Sequence, residues 1–276
     1  MTVGSLFSGI GGFDLGFERA GFDITWQVEI DDYANRVLAK HWPHVARYRD
    51  VRECGAANLA PVDVICGGFP CQPHSLAGRR LASADERDLW GEFARIIREI
   101  RPRWVVAENV SGLLSSEAGR FFGRVLGDLA ACGYDAEWDC LPASAFGAPH
   151  QRDRVWIVAY PAGGGGQRRR ASRQQAEGRW AFGLSAGSGY GPCDVADADR
   201  ERGRSGPAWS AYAADALESS RDTWRRQWDI EPAMGRVADG VSDRAHRLRG
   251  LGNAIVPQIA QWLAGRILEA EERLVA

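Results

Sequence analysis

Gly67-Gly68-Phe69-Pro70-Cys71-Gln72-Pro73-His74-Ser75 follows directly on the apolar run Val62-Asp63-Val64-Ile65-Cys66. The run has the length and β-branched content of a buried parallel strand, and the glycines and prolines after it mark a tight loop at that strand's C-terminal end. Ligands of open α/β sheets bind along that edge. A cysteine held there between two prolines has two readings, a displayed nucleophile or a buried free thiol, the usual fate of an isolated Cys. The first reading prevails because the rest of the chain supplies the partners a nucleophile needs.

Working outward, residues 1–160 alternate short apolar strands with amphipathic helices. Strands are expected at Val3–Phe7, Ile24–Val28, Val62–Cys66, Trp104–Ala107, Tyr134–Leu141 and Val155–Ala159. Helices are expected at about Phe13–Ala20, Asp31–Lys40, Leu89–Ile100 and Phe121–Ala131. Leu89, Phe93, Ile96, Ile97 and Ile100 keep helical spacing. Strands separated by helices imply an α/β chain with a mostly parallel sheet covered on both faces. The character changes after Tyr160, where Gly163–Gly166, the run Arg168-Arg169-Arg170 and scattered Trp show no sustained period. From about Ile255 order returns, and Pro257–Leu274 reads as an amphipathic helix with Ile259, Trp262, Leu263, Ile267 and Leu268 on its apolar side. The expected organisation is a binding and catalytic α/β domain over 1–160, an irregular insert over 161–235, and a C-terminal segment over 236–276 that returns to the first domain.

Composition bounds the class. A hydrophobic content of 45% and a charged content of 25% suit a globular domain, and no apolar run reaches the length of a membrane span. The N-terminus lacks a signal-peptide pattern, so a cytoplasmic location is expected. The cysteines (54, 66, 71, 132, 140 and 193) form no Cys-x-x-Cys pair and no cluster at zinc spacing, which argues against disulfides and against a metal. A net charge of −2 does not mark a nucleic-acid binder, although a local basic face is compatible with it. Lys40 is the only lysine, a bias that a GC-rich genome explains.

Four further motifs carry chemistry. Phe7-Ser8-Gly9-Ile10-Gly11-Gly12-Phe13-Asp14 follows the first strand and opens the first helix, where glycines let the backbone approach a ligand. Glu29 ends the second strand, about 20 residues further on, placed to accept from ribose hydroxyls or else to stand as a solvated charge. Glu108-Asn109-Val110 follows the strand Trp104–Ala107, so its carboxylate faces the edge that carries Cys71. A thiolate and an acid on one pocket suit addition to an electron-poor ring with protonation of a ring nitrogen. Arg152 and Arg154, two apart on an extended segment, would share a face and favour the thiolate; the alternative is a surface ion pair with Asp153.

In this order the motifs resemble the cytosine-5 DNA methyltransferase family: Phe69-Pro70-Cys71-Gln72, Glu108-Asn109-Val110, Arg152-x-Arg154 and Arg249-Gly250-Leu251-Gly252-Asn253-Ala254-Ile255-Val256-Pro257. The resemblance implies a Rossmann-like fold with a small irregular target-recognition insert, and S-adenosyl-L-methionine as cofactor. It implies cofactor contacts from Phe7, Ser8, Gly9, Gly11, Gly12, Glu29, Ile30, Asp50, Val51, Pro70, Leu89, Asn253 and Ala254, with Asp50 meeting the adenine amino group. His150 stands where many members carry Gln, and Ala254 replaces a frequent Ser.

The chemistry implied is addition of the Cys71 thiolate to carbon 6 of a cytosine flipped out of double-stranded DNA, with Glu108 protonating N3. Arg152 would hold the base O2 and Arg154 would orient the pocket. Gln72 and Ser75 would touch the DNA backbone or fill the vacated stack. Specificity would sit in 161–235, whose Trp180, Trp209, Trp224 and Trp228 either read a groove or belong to a linker. A separate cognate restriction endonuclease and a monomeric state are compatible with this reading. The competing readings are an RNA cytosine enzyme of the same fold, a DNA-binding relative without catalysis, and an unrelated thiol enzyme using His74 as base.

Overall fold

The computed structural model describes residues 1–70, 89–163 and 244–275. Seven strands lie among them: β1 (Thr2–Leu6), β2 (Asp23–Val28), β3 (Ala46–Tyr48), β4 (Val64–Gly68), β5 (Trp104–Val110), β6 (Tyr134–Leu141) and β7 (Arg154–Pro161). Six helices accompany them: α1 (Gly12–Arg19), α2 (Asp32–His41), α3 (Trp90–Ile100), α4 (Arg120–Ala131), α5 (Arg244–Asn253) and α6 (Pro257–Val275). The sheet order is β3-β2-β1-β4-β5-β7-β6. The α/β architecture expected from the alternating pattern is therefore present, and the pairs β1–β2, β1–β4, β2–β3 and β4–β5 are all parallel.

The described residues fall into two compact units. The first takes 1–70, 89–109, 158–160 and 244–275. Its chain runs outward from β1 through β2 to β3, then returns to place β4 on the other side of β1. That reversal puts a ligand crevice at the C-terminal ends of β1 and β4. The two strands meet closely there: a Cβ on Gly67 would lie 2.6 Å from the Leu6 carbonyl oxygen. On the sheet, Trp26 is buried because Gly4 leaves room for its ring. Helix α1 packs on α6 at a glycine: a Cβ on Gly16 would lie 2.5 Å from the Ala260 Cβ. The buried stripe of α6 is Ile259, Ala260, Leu263, Ala264, Ile267 and Ala270, with Trp262 and Leu268 half-buried at its margins. On α3 the buried stripe is Trp90, Phe93, Ala94, Ile96 and Ile97, and Leu89 and Ile100 are half-buried.

The second unit takes 110–157 and 161–163. Here α4 buries Phe121, Phe122, Val125 and Leu129, and Phe122 meets Trp138 of β6 edge-on at 4.8 Å. Of the insert expected over 161–235, all beyond residue 163 lies outside the described residues.

Candidate active site

The first wall is the turn from β1 into α1. Phe7, Gly9 and Gly11 all have left-handed backbones, with φ of 52°, 55° and 89°. For the bulky Phe7 this conformation is costly, and such strain concentrates at ligand sites. The turn is tied to the end of β2: Ser8 N donates to the Val28 carbonyl at 3.1 Å, and Gly9 N donates to Glu29 Oε2 at 2.7 Å. The other Glu29 oxygen accepts from Asp31 N at 2.8 Å. The carboxylate expected to meet a ribose thus also holds the glycine turn in register with the second strand. Ile30 next to it is 62% exposed, an apolar surface of the kind a purine covers.

Asp50 and Val51 open a 3-10 turn, Val51–Glu53. The Asp50 carboxylate caps that turn, accepting from Arg52 N at 3.0 Å, and also takes the Arg52 guanidinium at 2.8 and 3.0 Å. The hydrogen bond to that side chain holds the Asp50 carboxyl below the ordinary carboxylate range.

The second wall lies on β4 and β5, which pair Gly68 with Glu108. Glu108 belongs to the strand rather than following it, and it is 8% exposed. A Cβ on Gly68 would stand 3.0 Å from Glu108 Oε2, so glycine at this position leaves room for the carboxylate. Asn109 donates from Nδ2 to the Phe69 carbonyl at 2.9 Å, fixing the backbone just before Pro70, which is itself exposed. The phenyl ring of Phe69 is buried against Trp90 and Phe93 of α3, at 5.0 and 6.3 Å. Cys71, Gln72 and Ser75 lie outside the described residues. Leu89 is half-buried just ahead of α3, where its carbonyl accepts from Phe93 N at 3.1 Å.

The C-terminal motif forms the end of α5 and the turn into α6. Asn253 is the last residue of α5, and Ala254 N donates to the Leu251 carbonyl at 3.2 Å. The Ile255 carbonyl oxygen would stand 2.4 Å from a Cβ on Gly12, so this segment lies flush against the start of α1. His246 of α5 stacks on Tyr33 of α2, with ring centroids 5.9 Å apart.

In the second unit, Arg154 begins β7 and donates to the carbonyl, not the carboxylate, of Asp153 at 2.8 Å. Arg152 has φ of 46°, in the left-handed region. The extended pleat expected to align these arginines on one face is therefore broken one residue before the strand begins, and the alternation argument fails there. Gln151 is braced, accepting from Ser144 Oγ at 3.1 Å, and its carbonyl takes the Ala143 N–H at 2.6 Å. His150 is exposed.

Pattern reading missed a buried polar cluster beneath the first wall. Asp14, fully buried, accepts from Ser5 Oγ at 3.2 Å and from Gln27 Nε2 at 2.8 Å. Burial pushes its carboxyl up to about 6, against the lowering effect of both bonds. Burial likewise pushes the neighbouring Cys66 thiol well above its ordinary range. The signal lay in three polar residues inside otherwise apolar elements.

These residues fit a nucleoside-bearing methyl donor. An acid and an exposed apolar side chain close the end of β2, and a Cβ on Gly9 would meet nothing nearer than the Phe7 carbonyl oxygen at 4.0 Å. Fold and site together define a Rossmann-like methyltransferase architecture. Residues 1–175 match the C-5 cytosine-specific DNA methylases, and the chain belongs to that family. It is 35% identical over 156 residues to the Type II methyltransferase M.NgoBI of Neisseria gonorrhoeae, covering 56% of this chain and 49% of that one. It is 39% identical over 164 residues to M.Eco47II of Escherichia coli, covering 57% and 39%. The chain thus spans about half the length, or less, of these relatives. A prophage-encoded candidate DNA modification methyltransferase (E. coli) aligns at a TM-score of 0.51 with 32% identity, covering 58% of this chain and 47% of that one. The S. pombe Dnmt2 methyltransferase aligns over 98% of this chain and 99% of its own at a TM-score of 0.59 and 17% identity, a likeness of fold.

Among the described residues no helix is long and apolar enough to cross a membrane, and no group of His, Cys, Asp and Glu could hold a metal.

Proposed function

We propose that this chain is a DNA (cytosine-5-)-methyltransferase acting on a cytosine flipped out of double-stranded DNA. The observation that carries the reading is the Gly68–Glu108 pairing. It sets a buried carboxylate beside the strand whose next residues are Phe69-Pro70-Cys71, in a chain of this family. Glu29, Ile30, the Phe7–Gly12 turn, Asp50 and Val51 would hold S-adenosyl-L-methionine, with Pro70, Leu89, Asn253 and Ala254 completing its site. The bound donor supplies an electrophilic methyl group to carbon 5 of the base. Cys71 adds as thiolate to carbon 6, and Glu108 delivers a proton to N3, so that negative charge does not build up on the ring. Loss of the carbon-5 proton then expels Cys71 as thiolate, and N3 returns its proton to Glu108, which restores the neutral aromatic base. Arg152 and Arg154 serve the base and the pocket, and Gln72 and Ser75 serve the DNA backbone. Residues 161–235 carry sequence recognition.

The DNA reading is favoured over RNA because the family and the prophage-encoded relative are DNA enzymes by name. Two relatives bear Type II names, which supports a place beside a separate restriction endonuclease, in the cytoplasm where the DNA lies. One subunit suffices for strand-by-strand methylation.

The test is transfer of labelled methyl from S-adenosylmethionine to mixed-sequence duplex DNA, with base-resolution sequencing of the product. Wild type should yield 5-methylcytosine in one sequence context. Cys71→Ser should fall to background, because a hydroxyl supplies almost no anion at neutral pH. Glu108→Gln should lose about 10²- to 10⁴-fold in kcat, the span of a general acid. Label on RNA alone, or undiminished transfer by Cys71→Ser, would overturn the reading.

A further inference from the structure

Helix α3 follows the Cys71 segment in the chain, and its faces meet three parts of the candidate site. Phe93 packs edge-on against Phe7 of the glycine turn, with ring centroids at 6.3 Å. Trp90 and Phe93 pack against Phe69. Two residues after Phe93, Arg95 reaches the segment after Asp50: its Nη2 donates to the carbonyls of Cys54 at 2.7 Å and Val51 at 3.2 Å.

The guanidinium is itself held on both sides. Its Nε donates to Glu92 at 2.8 Å and its Nη1 to Glu99 at 2.8 Å. The second Glu99 oxygen accepts from Ala56 N at 3.0 Å. The loop lies flush on this pair, since a Cβ on Gly55 would stand 2.3 Å from Glu99 Oε2. Four acceptors around one planar fork is a task for arginine and not for lysine, whose three donors radiate from one point.

We propose that Arg95 is a positioning residue for the methyl donor's adenine subsite. It holds the backbone of residues 51–56, and with it the Asp50 carboxylate, from the helix that also buttresses Phe7 and Phe69. The inference rests on the methyltransferase reading above. Glu99, whose carboxyl the Arg95 hydrogen bond holds below its ordinary range, stays ionised at neutral pH and keeps the clamp charged.

The test measures binding of S-adenosylhomocysteine and of adenosine by calorimetry, and KM against kcat for the donor. Variants are Arg95→Gln, Arg95→Lys, Asp50→Ala and the Arg95→Gln/Asp50→Ala pair. Arg95→Gln should weaken both ligands about tenfold, the scale of one charge-assisted hydrogen bond. Adenosine lacks the amino-acid end, so an equal loss places the effect at the nucleoside, and the Asp50→Ala pair then separates the adenine from the ribose. The loss should fall on KM rather than kcat, Arg95→Lys should recover little of it, and the pair should lose no more than Asp50→Ala alone. Glu99→Gln, milder for folding, should shift both ligands the same way by a smaller factor. Losses that multiply in the pair, or a fall in kcat at unchanged affinity, would overturn the role of Arg95 alone. Failure of wild type to bind either ligand would overturn the methyltransferase reading and the proposal with it.

Discussion

At the scale of single residues, Asp14 makes a prediction whose sign is unusual for an acid. Its folded value of about 6 lies above the ordinary 3.8, so the folded state holds this proton more tightly than the unfolded chain does. Its contribution is greatest below the ordinary value and declines as pH rises through the window between the two values. Across that window the difference is worth about 3 kcal/mol. Asp14→Asn removes the charge while keeping the shape, and its amide can donate to Gln27 Oε1, which has no hydrogen-bond partner among the described residues. At about pH 8 the variant should therefore melt at or above the wild-type temperature, while near pH 4 the two should converge. Thermal unfolding by circular dichroism across that range decides it. A constant deficit for the variant at every pH would show that the buried carboxylate is not costly.

At the scale of elements, the same substitution should act with opposite sign on two helices. Alanine at Gly16 gains helix propensity of about 1 kcal/mol but drives a Cβ to 2.5 Å from Ala260 Cβ and the Pro257 carbonyl, so α1 and α6 must part. Overpacking of this kind costs about 1–3 kcal/mol, and Gly16→Ala should lower the melting temperature by several degrees. Gly123 in α4 has nothing within 4 Å of its would-be Cβ, and Gly123→Ala should raise the melting temperature. If both variants shift alike, helix propensity and not close approach governs α1. The elements also show where the sequence was legible. Strands β1, β2 and β6 and helices α1, α2, α3, α4 and α6 carry apolar periods and form within a residue or so of where the pattern places them. Strand β4 runs Val64–Gly68 rather than Val62–Cys66, because Gly67 and Gly68, expected in the loop, pair with β5 instead. Ala46–Tyr48 is a three-residue edge strand with little burial, too short to show alternation. Strand β5 runs on through the buried polar Glu108 and Asn109, which a reading based on apolar pattern ends at Ala107. Helix α5 is arginine-rich and largely exposed, so it has no apolar stripe to betray it. Arg152 departs from the extended form into a left-handed backbone that its residue type does not announce, as a Gly or Asn would. Arg95 reads in sequence as one more charge on a solvated face; only the fold brings the Val51 and Cys54 carbonyls to it.

For the whole molecule, the distribution of site residues over the two units makes the last prediction. The glycine turn, Glu29, Asp50, Val51, Gly68, Glu108 and the Asn253–Ala254 turn all belong to the first unit, whereas Arg152 and Arg154 belong to the second. The donor's expected contacts therefore lie within the first unit. On the proposed assignment, binding of S-adenosylhomocysteine is a first-unit event. At a ligand concentration of about 100 Kd, linkage stabilises the folded form by about 2.7 kcal/mol, or about 100-fold in the opening equilibrium. Amide exchange measured by mass spectrometry should slow by up to that factor in peptides over Phe7–Gly12, Asp50–Cys54 and α6, which packs on α1. Peptides over α4 and β6 should exchange at unchanged rates if the two units open independently, as subglobal units do. Equal slowing of both sets would show a single cooperative opening. Slowing confined to α4 and β6 would place the donor in the second unit and overturn the assignment of the glycine turn and Glu29.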